Sequence, residues 1–121
     1  MKAEELRIGN FIIVSNPSSP IYLSKKPTVE ICNYHHISDI CKGDEEWVYE
    51  PIPLTEQWLI DFGFEHTWLF KHKDTYFSLF DVEGGYVYTA DDNYYTSIKI
   101  EYVHQLQNLH FAITGRELEK K

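Results

Sequence analysis

The sequence has few cysteines and no long apolar stretch. Its 121 residues include only Cys32 and Cys41, too few for the disulfide framework of a small secreted protein, so we expect free thiols. No run approaches the roughly 18 apolar residues that a membrane-spanning helix needs, and no apolar segment typical of a signal peptide follows the N-terminus. These absences favour a cytoplasmic protein that does not enter a membrane.

Positive charge is also scarce. The 11 Lys and Arg residues are outnumbered by 19 Asp and Glu residues, which gives a net charge of -8. A protein that binds duplex nucleic acid needs a basic face to displace counterions from the phosphates, so this partner is disfavoured. An acidic surface instead favours solubility or a basic partner.

Aromatic residues, by contrast, are abundant. They make up 16% of the chain, with nine Tyr, seven Phe and three Trp. A chain of this length forms one domain with a real core, but it buries only some of these rings. Because tyrosine is enriched at interfaces, the surplus favours a contact with a protein or ligand.

The first part of the chain is predicted to form short strands. A Gly-Asn pair before the apolar run 11–14 indicates a turn that feeds a strand, as in small SH3-like barrels. The alternation within 28–40 suggests one or two further strands, and 47–50 suggests another. Pro51 and Pro53 end that strand because neither can donate a hydrogen bond to a sheet.

A helix is predicted over 56–62. Thr55 is a suitable N-cap, Leu54 and Leu59 occupy the two positions of a hydrophobic staple, and Gly63 suits the left-handed position after a helix. We expect the apolar face of this helix to pack on a sheet.

The remainder is predicted to be an antiparallel meander followed by a closing helix. Turn residues separate four strand-like segments, 66–72, 75–82, 86–90 and 94–100. The closing helix would end at Gly115 and be followed by a solvated tail, 116–121. Its apolar stripe is predicted to comprise Tyr102, Leu106, Leu109 and Ile113.

Three segments resemble a family of small uncharacterised proteins found in gut Bacteroidetes and in their phages and mobile elements. They read ELRIGNFIIV, PIPLTEQWLIDFGF and KIEYVHQLQNLHFAITGRELEKK. The resemblance brings no known activity, cofactor or partner, and it implies that residues 1–121 are a complete protein. We expect one α+β domain with lobes at about 1–53 and 54–121: a small barrel-like β-sheet, possibly SH3-like, then a helix, an antiparallel meander and a C-terminal helix.

Four potential zinc ligands fall within ten residues. They are Cys32, His35, His36 and Cys41. Their spacing matches no zinc pattern, and neighbours on the strand predicted here would face opposite ways. We therefore expect no metal site, but a half-buried cysteine and two exposed histidines near a sheet edge.

The other histidines and acidic turns are weak candidates. His104 and His110 would point in different directions on the closing helix, and His66 and His72 would lie roughly 20 Å apart on one strand, so neither pair predicts a site. An acidic cluster could hold a divalent cation, or simply reflect the preference of Asp for turns. It comprises Asp81, Glu83, Asp91 and Asp92. No nucleophile motif or phosphate-binding glycine loop is present, so we predict no catalytic or cofactor-binding residues.

The tyrosines of the meander are the preferred interaction candidate. Tyr86 and Tyr88 share one face of a strand, and Tyr94 or Tyr95 would join them from the next strand. Such a strip could contact a sugar, a base or a protein side chain, or it could serve only to stabilise the sheet.

Three functions remain open from the sequence. The first is a non-catalytic protein-interaction or accessory protein of phage or mobile-element origin with an unknown protein partner. The second is an acidic nucleic-acid mimic that inhibits a host nucleic-acid-binding protein. The third is a small metal-binding protein or enzyme. Acidity, surplus tyrosine and missing catalytic motifs favour the first.

Overall fold

The computed structural model describes residues 5–16, 25–42, 48–91 and 94–120. The chain divides into two compact units, Met1–Ile52 and Pro53–Lys121. Both contain antiparallel sheet and helix, so the expected α+β class is confirmed. The elements in chain order are β1 (Phe11–Asn16), β2 (Lys25–Ile31), α1 (Tyr34–Lys42), β3 (Val48–Glu50), α2 (Glu56–Asp61), β4 (Phe64–His66), β5 (Phe70–His72), β6 (Ser78–Val82), β7 (Gly85–Asp91), β8 (Tyr94–Ile100) and α3 (Val103–Thr114).

The first unit is a three-stranded sheet with α1 on one face. The strand order is β2-β1-β3, both pairings are antiparallel, and the strands described here close no barrel. Its core comprises Leu6, Ile12, Val14 and Cys32, with Ile37, Ile40 and Tyr49 packed against it.

The prediction of strands throughout 28–40 was wrong for the second half of that segment. Helix α1 forms because Asn33 caps it. The Asn33 side-chain oxygen accepts a hydrogen bond from the His36 amide at 3.1 Å, and the Asn33 amide donates to His36 Nδ1 at 3.2 Å. Ile37 and Ile40 then reach the core at helical spacing.

Helix α2 agrees with its prediction. The Thr55 hydroxyl accepts a hydrogen bond from the Trp58 amide at 3.5 Å, and Gly63 has a φ of 93°, as a residue that follows a helix end requires. Leu59 and Phe62 are completely buried, so α2 presents one apolar side to the core of the second unit.

The predicted antiparallel meander is confirmed, with strand order β4-β5-β6-β7-β8. The expected strand 66–72 is in fact two strands, because the chain turns at 67–69, where the Thr67 amide donates to the Leu69 carbonyl. The segment expected to begin at Thr75 becomes a strand only at Ser78, after Tyr76 adopts a positive φ of 59°.

Helix α3 ends at Gly115, as predicted, in the left-handed conformation. The predicted stripe, however, was only partly right: Leu106 is completely buried, whereas Tyr102 and Leu109 are half-buried. Ile113 is 47% exposed, while the buried side is formed by Val103, His104, Leu106, Gln107 and His110. Polar side chains occupy core positions of this helix, which is why an apolar pattern misplaced its buried side.

The segment after α3 is only in part the solvated tail expected from the sequence, since Arg116, Glu117, Glu119 and Lys120 are exposed. Leu118 is only 5% exposed. The Lys120 ammonium lies 4.6 Å from the centre of the Trp58 ring, a cation–π contact. Residues 116–120, here called the strap, follow Gly115 and contact the second unit through Leu118 and Lys120.

Candidate functional site

The meander has an inner face that contributes to the core and an outer face. Phe70 pairs with Leu79, Leu79 with Tyr88, and Tyr86 with Ile100, which places these residues on the inner face. Phe80 pairs with Val87 on the outer face. The two faces separate the aromatic residues into two groups with different environments.

The predicted tyrosine strip lies partly on the inner face. Tyr86 is 8% exposed, and Tyr88 is half-buried with its ring stacked on Phe77 at 4.7 Å. Burial, with smaller contributions from the charges of Asp81 and Glu56, raises the pKa of Tyr86. These two rings stabilise the sheet. The backbones of Tyr94 and Tyr95 belong to β8, but their side chains lie outside the described residues.

A different set of apolar side chains is exposed on the outer face. Trp68, in the β4–β5 turn, is 58% exposed, and its ring meets Phe80 edge to face at 5.4 Å. Val82 is exposed and Val87 is half-buried. We call Trp68, Phe80, Val82 and Val87 the aromatic face.

The aromatic face was not predicted as an interaction site, although the sequence pattern gives this strand apolar groups on both faces. Phe80 has the opposite strand parity from Leu79, which is fully buried. Neighbouring residues of a strand point to opposite faces of the sheet, so an aromatic residue next to a buried leucine indicates that the second face is also apolar. Trp68 could not be assigned because the turn that holds it was read as strand.

The first unit also leaves apolar side chains on the sheet face opposite α1. Val29 and Ile31 on β2 are both exposed, and Ile13 pairs with Val29 on the same face. Glu30, on the core side of β2, lies 3.9 Å from His36 Nε2. In a surface strand the apolar residues usually face the core and the charged residues face solvent, and β2 shows the reverse arrangement.

The zinc candidates do not form a site. Cys32 is buried, which raises its thiol pKa and disfavours the thiolate that binds metals. His35, His36 and Cys41 lie on α1 rather than on the predicted strand. Within the described ranges, no three His, Cys, Asp or Glu side chains converge in a way that could hold a metal ion.

The acidic cluster can be assessed only in part. Asp81 and Glu83 are exposed at the β6–β7 turn. Asp92 and the side chain of Asp91 lie outside the described residues.

The structure brings together two histidines that the sequence did not pair. His72 from β5 and His110 from α3 have ring centres 5.3 Å apart, and both are buried. These histidines lie on different elements, 38 residues apart in sequence. No local pattern indicates this contact, because it depends on how α3 packs against the meander.

Both nitrogens of His110 have hydrogen-bond partners. Nδ1 lies 2.8 Å from the Arg116 carbonyl, which can only accept, so Nδ1 carries the proton. In the neutral ring Nε2 is then an acceptor, and the Thr75 hydroxyl, 2.9 Å away, donates to it. Burial lowers the pKa of His110, and the charges of His72 and Arg116 act in the same direction, whereas the Arg116 carbonyl and Glu117 oppose them.

His72 is held in the opposite tautomer. Its Nε2 lies 3.0 Å from the Phe62 carbonyl and therefore donates to it. Its Nδ1 accepts from the backbone amides of Asp74 and Thr75, both at 3.3 Å. The two rings thus join the end of α2, turn 73–75 and the strap.

The Thr75–His110 pair resembles a nucleophile beside a base, but the surroundings favour a structural role. A nucleophilic hydroxyl requires nearby donors for the oxyanion that it creates. The amides of Asp74 and Thr75 donate instead to His72. His110 itself is completely buried, so a substrate has no path to its ring.

A polar cavity lies beside this network. Its volume is about 260 Å³. The lining comes from the end of α2, from β5 and turn 73–75, and from the strap: Phe62, His72, Asp74, Thr75, Arg116, Glu117, Glu119 and Lys120.

Among the residues described, no helix combines the length and apolar character needed to cross a membrane. Comparisons of the chain with protein-family models, curated proteins and solved structures found no match.

Proposed function

We propose that this chain is a non-catalytic, cytoplasmic protein-interaction or accessory protein of phage or mobile-element origin, and that it binds a protein partner through the aromatic face. The origin follows from the family resemblance of the sequence. The interaction role is supported by one observation above all, the exposure of Trp68 beside Phe80.

Trp68 has the properties of an interface anchor. Tryptophan is enriched among the few residues that dominate binding energy, since its ring buries a large apolar area on contact. The Trp68 ring already contacts Phe80 in the sheet edge to face. The Trp68 side chain therefore loses little conformational freedom when a partner covers it. Val82 and Val87 extend the apolar surface on the same side.

The rim of the aromatic face is polar and of mixed charge. Glu65 and Lys71 pair across β4 and β5, and Lys99 pairs with Val87. Lys73 lies 3.5 Å from Glu65, and Lys99 lies 3.8 Å from Glu101. An apolar centre with a charged rim is the usual organisation of a protein interface.

The test is a comparison of two exposed aromatic residues. Phe111 on α3 is 40% exposed and lies outside the aromatic face, so Phe111→Ala controls for a general loss of aromatic surface. Native-host lysate would be passed over immobilised wild-type protein, the captured partner identified by mass spectrometry and its affinity measured with purified components. We expect Trp68→Ala to weaken binding by about 2 kcal/mol or more, roughly 30-fold.

Equal affinities for wild type and Trp68→Ala would refute the role of the aromatic face. A loss of binding in Phe111→Ala but not in Trp68→Ala would place the interface on α3. Both variants should retain the wild-type melting temperature, which separates loss of contact from loss of fold.

For the first unit, we propose that its sheet is SH3-like, as the Gly-Asn turn and apolar strand at its start suggest. The antiparallel β2-β1-β3 arrangement is compatible with part of such a barrel. An experimental structure showing whether the strands of this unit close into a barrel would test this assignment.

A further inference from the structure

The cavity beside His72 and Thr75 is lined by polar groups that differ in whether they donate or accept hydrogen bonds. Its volume of about 260 Å³ lies slightly below the range of sites for drug-sized ligands. It therefore suits a smaller molecule with a few polar groups. Which molecule it suits depends on whether its lining donates or accepts hydrogen bonds.

The side chains fixed in the network offer no donor to this cavity. The Thr75 hydroxyl proton is directed to His110 Nε2, which leaves only lone pairs for a ligand. The single N–H of the neutral His72 ring is directed to the Phe62 carbonyl. His72 is 8% exposed and also lines the cavity, whereas Phe62, although among the lining residues, is completely buried.

The charged groups of the lining also favour a positively charged ligand, because the carboxylates outnumber the cations. Asp74, Glu117 and Glu119 supply three carboxylates, against the cationic groups of Arg116 and Lys120. The Lys120 ammonium is placed over the Trp58 ring. Arg116 is therefore the cation of the lining that most directly opposes a positive ligand.

We propose that this cavity binds a small organic ammonium ion. The ammonium donates to the Thr75 hydroxyl oxygen and to the carboxylate of Asp74, while its methylene groups contact His72. This site is separate from the aromatic face, and neither proposal requires the other.

Three probes of similar size and different charge test the preference. They are n-butylammonium, butan-1-ol and butanoate, each titrated into the full chain while amide shifts are followed by NMR. We expect butylammonium to bind with a Kd on the order of 1 mM, to shift the amides of Thr75 and of 116–120, and to bind at least about tenfold more tightly than the alcohol or the carboxylate. 1,4-Diaminobutane should bind more tightly still, because its second ammonium can reach another carboxylate.

Two substitutions with opposite expected signs make the test specific. Asp74→Asn keeps the shape of the side chain and removes a negative charge, so it should weaken butylammonium binding by about threefold. Arg116→Gln removes the opposing charge and should tighten binding by about twofold. It leaves the Arg116 carbonyl in place for His110. The matched control is Asp81→Asn, at an exposed carboxylate that does not line the cavity, and it should change neither affinity nor the shifted amides.

Several outcomes would overturn the proposal. One is the absence of shifts at Thr75 and the strap with butylammonium at about 10 mM, ten times the expected Kd. Another is butanoate binding as tightly as butylammonium. A third is reversal of the two signs, with Asp74→Asn tighter and Arg116→Gln weaker, which would identify an anion site instead.

Discussion

The contact between Thr75 and His110 permits a sharp stability test, because one substitution removes a single hydrogen bond and little else. Thr75→Val keeps the branched shape of the side chain and replaces the hydroxyl by a methyl group. The Thr75 amide still donates to His72 Nδ1, since that bond involves only the backbone. His110 Nε2, in a ring that is completely buried, then loses the donor at 2.9 Å.

The expected cost follows from the tautomer of His110. The ring cannot change to the tautomer protonated on Nε2, because Nδ1 must keep its proton to donate to the Arg116 carbonyl at 2.8 Å. A buried acceptor left without a partner costs about 1–3 kcal/mol. We therefore expect Thr75→Val to lower the free energy of unfolding by about 1–3 kcal/mol.

Thr75→Ser is the matched control, because it retains the hydroxyl and loses only a methyl group. We expect it to cost less than about 1 kcal/mol. Urea unfolding, followed by tryptophan fluorescence and circular dichroism, would give the free energy of unfolding for each variant. The network account requires valine to be more destabilising than serine.

A double-mutant cycle with His110→Phe completes the test. Once the imidazole is absent, Thr75→Val no longer strands an acceptor, so its cost should fall close to zero. A Thr75→Val variant as stable as wild type, or one equally destabilising in the His110→Phe background, would refute the proposed role of this hydrogen bond.

Two further predictions concern pH and helix capping. Because the pKa of His110 is lowered in the folded state, its contribution to stability should be fully present above about pH 6.5, the usual histidine value, and decrease as pH falls from there toward the folded-state pKa. Urea midpoints at a series of pH values would show a decline that is absent in His110→Phe, and an identical decline in both proteins would contradict this assignment. Thr55→Ala should lower the free energy of unfolding by about 1 kcal/mol, since it removes the oxygen that caps α2. Thr55→Ser retains a cap and should cost less, and equal costs for alanine and serine would argue against a capping role.

The elements that sequence could predict are those with local signals. Helix α2 has its cap, its apolar positions and its terminal glycine within ten residues, and the structure agrees with each of them. The meander was predictable because turn residues separate neighbouring strands that pair with each other. Helix α1 also had a local signal, the Asn33 cap, but the alternating pattern before it was extended too far.

The candidate sites depended on long-range contacts that no local pattern contains. The buried side of α3 includes Gln107 and His110, so an apolar stripe could not identify it. The His72–His110 contact and the cavity form only when α3, turn 73–75 and the strap meet. The aromatic face required knowing that the chain turns at Trp68, because this turn places its ring beside Phe80.

The hydrogen bond between Thr75 and His110 differs from the strand pairings of the second unit in the length of chain that it closes. Every pairing in the meander joins strands that are neighbours in sequence, so each is closed by a short loop. The hydrogen bond from Thr75 to His110 instead closes a segment of 35 residues. On logarithmic scaling, the length of such a loop adds about 3 kcal/mol of chain entropy. The buried imidazoles and their four backbone partners therefore help to compensate a loss of chain freedom larger than that of any strand pairing in the meander.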